Sequence, residues 1–286
     1  MAAKDTFFFK KSSLNCKGKL VDISTPLVMG ILNVTPDSFF DGNRYTVAAK
    51  IKARVSVMLD EGIDIIDIGG ASSRPKAKII SEKEELKRVL PAIELVAENF
   101  PNTIISVDTF RSAVAQKSIE SGAHIVNDIG AGNFDVKMFD TIATLNVPYI
   151  MMHQKGNFET MHQSHQYENL MKEVIEFFIK KIVALLERGV SDIIIDPGFG
   201  FSKSIEQNFY LLKNLSLLNI FEVPVLAGLS RKSMINKIVK TKPDEALNGT
   251  SVLNTLALQN GANILRVHDI KQAKQAIQLF QFYKAQ

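Results

Sequence analysis

The residues of this chain best suited to chemistry recur just after short apolar, β-branched runs. The first group lies in Asn33-Val34-Thr35-Pro36-Asp37-Ser38-Phe39-Phe40-Asp41-Gly42. Asn33 and Asp37 offer oxygens suited to a hard cation such as Mg2+, which commonly bridges to a substrate phosphate. The same residue types also form turns by bonding their own backbone. The second group is Asp67-Ile68-Gly69-Gly70-Ala71-Ser72-Ser73-Arg74-Pro75. Its paired glycines let backbone approach a ligand, and hydroxyls beside Arg74 suit a phosphate. Asp108-Thr109, Asn127-Asp128 and Asp196-Pro197-Gly198-Phe199-Gly200-Phe201 supply carboxylates and an amide. Together these could read the amide and amino edge of a flat heterocycle, because a carboxylate accepts two parallel N–H bonds well. The competing use of each is capping the helix that follows. Gly228-Leu229-Ser230-Arg231-Lys232-Ser233 and Arg266-Val267-His268-Asp269 add cations and hydroxyls. With a strand period of two, Arg266 and His268 point the same way.

Several familiar chemistries are missing from the pattern. Gly198 and Gly200 lack the third glycine and the ribose-binding acid of a dinucleotide fingerprint, and no P-loop is present. His153, His162 and His165 match no standard zinc spacing. The one cysteine, Cys16, excludes an intrachain disulfide and a cysteine-based zinc site. No Ser-His-Asp or Cys-His arrangement is evident.

Such residues need elements that bring them to one place. Apolar runs at 27–32, 63–68, 103–107, 124–126, 147–152, 192–195, 223–227 and 263–267 read as eight strands. Amphipathic stretches between them read as helices, among them 81–98, 171–188, 205–218, 243–259 and 269–284. Ser81 and Glu84 have the spacing of a capping box. The strands are continuously apolar, as in a parallel sheet covered by helices on both faces. Eight units, with polar residues past nearly every strand, predict a closed (β/α)8 TIM barrel rather than an open doubly wound sheet. Residues 7–23 are expected to form a short hairpin over the barrel bottom. The whole of 1–286 reads as one barrel domain, with 1–26 as an N-terminal extension.

The bulk composition agrees. The chain has 286 residues, 46% of them hydrophobic and 22% charged, and a net charge of +4. That is an ordinary globular composition, compatible with an anionic substrate and without the basic-aromatic stripe of a nucleic-acid binder. No signal-peptide pattern opens the chain and no apolar run reaches membrane-spanning length. A cytoplasmic enzyme acting on small molecules, without nucleic-acid or membrane partners, is the expectation.

These segments, in this order, resemble the dihydropteroate synthases of the pterin-binding barrel family. The match runs over 29–42, 67–75, 106–109, 127–129, 196–201, 226–232, Gly249-Thr250 and 261–269. The resemblance implies a homodimeric transferase of folate biosynthesis. It would join 4-aminobenzoate to 7,8-dihydropterin-6-ylmethyl diphosphate and release pyrophosphate, with Mg2+. Carried over by position, Asp108, Asn127, Asp196 and Lys232 look like the pterin contacts, with Met152 on its face. Asn33 looks like the metal ligand, and Asn33, Ser73, Arg74, Arg266 and His268 are placed for the diphosphate. Phe39, Arg74, Pro75, Phe201 and Ser230 would shape the aminobenzoate pocket. Asp108, Asp196, Lys232, Arg266 and His268 would be the catalytic set.

Two segments depart from the family pattern. Ala71 stands where the family usually has glutamate, and Met152-His153-Gln154-Lys155-Gly156-Asn157-Phe158 replaces Met-His-Met-x-Gly-x-Pro. Two rivals share the pterin residues: a pterin-dependent methyltransferase domain and a catalytically silent pterin-binding paralogue. The first has no use for a diphosphate clamp.

Overall fold

The computed structural model describes residues 11–35, 44–71, 79–161 and 163–286. Two short strands come first, β1 (Ser13–Cys16) and β2 (Lys19–Asp22), paired antiparallel. Lys17 and Gly18 join them, both at positive φ (53° and 87°). That is the backbone of the two-residue turn whose twist matches a hairpin.

Eight parallel strands follow: β3 (Leu27–Asn33), β4 (Ile65–Gly69), β5 (Ile104–Asp108), β6 (Ile125–Asp128), β7 (Tyr149–Met152), β8 (Ile193–Asp196), β9 (Leu226–Ala227) and β10 (Ile264–Val267). They form one sheet in the order β8-β7-β6-β5-β4-β3-β10-β9. The two edges meet through a parallel bridge between Ile195 and Val225, where Ile195 N–H donates to Pro224 O at 3.0 Å. The sheet is therefore closed, as expected of a (β/α)8 barrel, and every strand lies where an apolar run predicted one.

Alternation along the strands sorts the side chains into layers. Val28, Leu32, Ile66, Ile68, Val107, Tyr149 and Ile193 face outward into the core beneath the helices. Met29, Ile65, Ile104, Ile125, Ile150, Ile194 and Ile264 face inward and pack with Leu14, Cys16 and Ile23 of the hairpin segment. The hairpin thus plugs the bottom of the barrel. The part of the prediction at residues 7–10 lies outside the described residues. Each fully buried aliphatic side chain in this plug contributes roughly 1.5–3 kcal/mol relative to exposure. Two residues further along five of these strands the inward positions turn polar, at Asp67, Ser106, Asn127, Asp196 and Arg266, while β3 and β7 have Ile31 and Met152 there. The barrel is greasy below and polar above.

Helices α1 (Arg44–Asp60), α2 (Glu82–Asn99), α3 (Ser112–Glu120), α4 (Met138–Leu145), α5 (Leu170–Leu186), α6 (Ile205–Lys213), α7 (Ser233–Val239), α8 (Leu247–Gln259) and α9 (Ile270–Lys284) follow the strands. Two predicted helices are split. Residues 205–218 become α6 and a 3-10 turn (Leu215–Phe221), because the Asn214 side chain bonds back to Tyr210 O at 2.8 Å and closes the last turn. Residues 243–259 become a 3-10 turn (Pro243–Glu245) followed by α8. Ser81 caps α2 by accepting from Glu84 N–H, but the Glu84 carboxylate takes Arg88 instead of completing a capping box.

Candidate active site at the barrel mouth

Arg266 organises the polar layer. It projects inward from β10 and donates from Nε to Asp67 Oδ2 and from Nη2 to Asp108 Oδ2, both at 2.7 Å. Asn127 on β6 donates to the same Asp67 oxygen at 3.0 Å. Three strands are thereby joined through one guanidinium, whose planar fork suits paired carboxylates, and β6 is joined to them through Asp67. A Cβ at Gly69 would stand 3.3 Å from Asn33 Oδ1 and 3.5 Å from Asp108 Cβ. Glycine at this position lets the ends of β3 and β5 approach each other. Asp128 faces the other way. It accepts from Tyr149 Oη at 2.6 Å and from the amides of Gly130 and Gly132, so it shapes the outer wall.

The second side of the mouth is the loop after β8. Asp196 Oδ1 accepts from Gly198 N–H at 2.7 Å, and Gly198 and Gly200 sit at φ +72° and +78°. A Cβ on Gly198 would meet His153 O at 2.0 Å. Lys232 reaches over this loop, donating to Phe199 O with its ammonium 4.4 Å from the centre of the Phe201 ring. Met152 and Phe201 pack with Ile129 and Met161, flanked by Phe110, Phe134 and Phe158. Phe158, from the loop that departs from the family pattern, stands 5.2 Å from the Phe110 ring and 5.9 Å from Phe134. The result is an apolar wall beside a polar floor, which suits a flat heterocycle with a hydrogen-bonding edge.

The third side comes from β9 and β10. Ser230 Oγ accepts from His268 N–H at 3.2 Å and lies 3.0 Å from His268 Nδ1. Arg231, held at φ +56°, is turned away from the mouth into a paired contact with Asp269 at 2.6 and 3.1 Å. That leaves Lys232 as the cation of this loop that faces the carboxylates.

Electrostatics follow from depth. Burial pushes the Asp108 carboxyl up to about 7, against the pull of Arg266. Asp196 is also raised by burial, while Gly198 N–H, Lys232 and Arg266 oppose the rise. Burial draws Lys232 down to about 8, with Asp196 resisting. Burial also disfavours the Arg266 cation, but Asp67 and Asp108 more than offset it and hold the group charged. Carboxylates and amines poised near neutrality in one cleft mark a functional site.

The structure brings together Asn33, Asp108, Asn127, Met152, Asp196, Phe201, Ser230, Lys232, Arg266 and His268 at one end of the barrel. Asp37, Phe39, Ser73, Arg74 and Pro75 lie outside the described residues, as does His162. Of the other candidate zinc histidines, His153 Nδ1 contacts Lys203 and His165 Nε2 lies 3.2 Å from Thr160 O. Three features escaped the reading of the residues. Asp67 falls within the 63–68 strand run but is given no role, although it sits two residues before Gly69 on an inward position. Glu85 enters from α2 to accept from Thr109 Oγ1 at 2.6 Å and pair with Arg111, bracing the end of β5 beside Asp108. Lys203 is buried behind the β8 loop.

The family described as pterin binding enzyme matches residues 29–268. The chain belongs to the pterin-binding enzyme family. Among its relatives is the dihydropteroate synthase of Escherichia coli strain K12, 39% identical over 268 residues, covering 93% of this chain and 94% of the relative. Among solved structures it is similar to Xanthomonas albilineans dihydropteroate synthase with 4-aminobenzoic acid, at 38% identity and a TM-score of 0.88. That alignment covers 96% of this chain and 99% of the other. The same enzyme in complex with 7,8-dihydropteroate gives 37% identity and a TM-score of 0.85 with the same coverage. This pterin-binding enzyme therefore shares with them both its barrel and nearly its whole length.

Proposed function

We infer that this chain catalyses the dihydropteroate synthase reaction. The amino nitrogen of 4-aminobenzoate replaces diphosphate on the methylene of 7,8-dihydropterin-6-ylmethyl diphosphate, giving 7,8-dihydropteroate and pyrophosphate. Beyond the family relationship, one observation supports it most. Asp108, Asn127, Asp196 and Lys232 ring the mouth beside the apolar wall, with Arg266 reaching in from β10.

In this reading Asp108, Asn127, Asp196 and Lys232 hold the pterin edge and Met152 lies on its face. Arg266, with Nε and Nη2 engaged by Asp67 and Asp108, keeps its Nη1 end for the diphosphate. His268, Asn33, Ser73 and Arg74 complete that subsite, while Phe39, Arg74, Pro75, Phe201 and Ser230 enclose the aminobenzoate. The C–O bond to the diphosphate breaks first and its electron pair leaves with pyrophosphate. Asp108 and Asp196 then stabilise the cationic pterin methylene until the amino nitrogen adds and sheds its proton. Arg266, His268 and Lys232 offset the growing charge on the leaving group. No protein nucleophile takes part. The loops that follow β3 and β4 would close over the site and exclude water.

Asn33 gives one neutral oxygen at the rim, and among the described residues no three His, Cys, Asp or Glu side chains gather around a metal position. Such a sparse donor set fits Mg2+, which takes one or two protein oxygens together with phosphate and water. Mg2+ held there would neutralise charge on the diphosphate.

The proposal covers 1–286 as one catalytic domain, working in the cytoplasm as a homodimer. Exposed Ile238, Val239, Val252 and Leu256 on α7 and α8 support the dimer by offering apolar surface. No described helix is long and apolar enough to cross a membrane.

The test is turnover. Purified protein given both substrates should release pyrophosphate and form dihydropteroate, faster with Mg2+ than with chelator. Correctly folded protein that binds the pterin yet releases nothing would instead be a silent paralogue.

A further inference from the structure

Lys203 is only 7% exposed, yet no carboxylate bonds to it among the described residues. Its ammonium points at four acceptors: His153 Nδ1 at 3.0 Å, Gly198 O at 3.1 Å, Phe201 O at 3.2 Å and His153 O at 3.4 Å. Burying a lysine is costly, and an aliphatic side chain would serve the fold alone at lower cost. The carbonyls it collects are not scattered. Two belong to the loop that carries Asp196 and Phe201, and one belongs to the residue after Met152.

That loop is also tied to the segment after β7 through Ser202, whose N–H donates to Met161 O at 2.6 Å and whose Oγ accepts from Lys155 N–H at 3.0 Å. It is Lys203, however, that gathers the Gly198 and Phe201 carbonyls onto that of His153. Gly198 and Gly200 hold left-handed conformations that glycine visits readily but leaves as readily. Asn208 accepts from Gly200 N–H at 2.7 Å and donates to Lys203 O at 3.3 Å, so the loop is tied at a second point to the base of the same lysine. From this frame Phe199 O meets Lys232 and the Phe201 ring lies under its ammonium.

We propose that Lys203 is a positioning residue for pterin recognition. It clips the loops after β7 and β8 together, and so sets Asp196, Phe201 and Lys232 in register with Met152. The inference rests on the pterin assignment made above for Asp196 and Lys232. The role is mechanical rather than acid–base. Burial lowers Lys203 to about 7, with Asp196 opposing and Lys232 assisting, and even the neutral amine keeps two N–H donors for the carbonyls. His153, itself held neutral by burial and by Lys203, serves as the acceptor.

The experiment compares two ligands whose subsites depend differently on this loop. Affinities for the dihydropterin diphosphate, and for inorganic pyrophosphate with Mg2+, are measured by calorimetry on wild type and on Lys203→Met. Loss of several hydrogen bonds from a charged donor predicts pterin diphosphate affinity weaker by about tenfold or more. Pyrophosphate, recognised from β10, should bind within about twofold of wild type. Lys203→Gln, which keeps an N–H donor on a shorter arm, should fall between, and it decides the matter if the methionine variant does not fold. Equal loss for both ligands, or unchanged pterin affinity in a folded variant, would overturn the positioning role. Wild type that fails to bind the pterin diphosphate would instead overturn the assignment beneath it.

Discussion

Arg266 on β10 donates to Asp67 on β4, 2.7 Å away, across the intervening strand β3. The curvature of the barrel and the length of the arginine side chain bring these two residues, two strands apart, into direct contact on its inner face. The pair is thus a product of barrel closure. It also sets the direction of the guanidinium, because Asp67 holds Nε while Asp108 holds Nη2.

Substituting Asp67→Asn keeps the shape and removes the charge. Asn127 and Arg266 then compete for one neutral oxygen, and part of a buried ion network is broken. Removal of one partner from such a network typically costs about 3–5 kcal/mol, and Arg266 retains Asp108, so about 3 kcal/mol is expected. Urea unfolding of the two proteins would read it. Turnover should fall as well, since the arginine loses one of its two anchors. A variant with wild-type stability and activity would show that the Asp67 contact positions nothing.

Activity should be bell-shaped in pH. Asp108 must be a carboxylate to accept pterin N–H groups, and burial raises it to about 7, so activity is present above that value and lost as the pH falls through it. Lys232 must be a cation, and burial lowers it to about 8, so activity is lost as the pH rises through that value. The ratio kcat/KM for the pterin substrate reports both limbs of the free enzyme. Lys232→Arg, which stays charged, should flatten the basic limb. A level profile from about pH 6 to 9 would contradict both assignments.

Much of this was legible in the residues, for a physical reason. A strand period of two puts Arg266 and His268 on one side. Polar residues ending the apolar runs put Asp108, Asn127 and Asp196 at the C-terminal ends of their strands, where a barrel keeps its active site. The hairpin was expected only as a short extension over 7–23, and the structure gives its strands as Ser13–Cys16 and Lys19–Asp22. What was not legible depends on closure or on backbone. Asp67 is one carboxylate in a strand run, and its role shows only when β10 brings Arg266 against it. Lys203 carries no signal because its partners are mostly carbonyl oxygens, which every residue has. Glu85 sits on a helix face like any solvated acid until α2 docks it against Thr109 and Arg111.

Two glycines at the mouth should respond in opposite ways to alanine. Gly198→Ala places a Cβ 2.0 Å from the His153 carbonyl at φ +72°, so backbone must move. A left-handed alanine alone costs roughly 1–2 kcal/mol, and the clash adds to that. Gly228 has nothing within 4 Å of its Cβ position and no left-handed φ. Gly228→Ala should leave the unfolding midpoint unchanged or slightly raised. Thermal unfolding of the pair would show it, and equal effects would mean that the loop after β8 is more yielding than its contacts imply.

Ser230 sets the orientation of His268. Its hydroxyl oxygen accepts from the His268 backbone N–H, and its hydrogen bond to Nδ1 fixes the ring so that Nε2 is presented on the other side. Ser230→Ala removes both contacts, at about 1 kcal/mol in stability for hydrogen bonds of this kind. The larger effect should fall on catalysis. An imidazole without the Ser230 contacts would be less well aligned with the diphosphate, and misplacement of a positioned group by about 1 Å can cost on the order of 100-fold. The expected result is a kcat lowered by at least about tenfold, with Ser230→Thr recovering most of it. Should Ser230→Ala change only the KM for 4-aminobenzoate, then the serine serves the aminobenzoate pocket alone and His268 is held by other contacts.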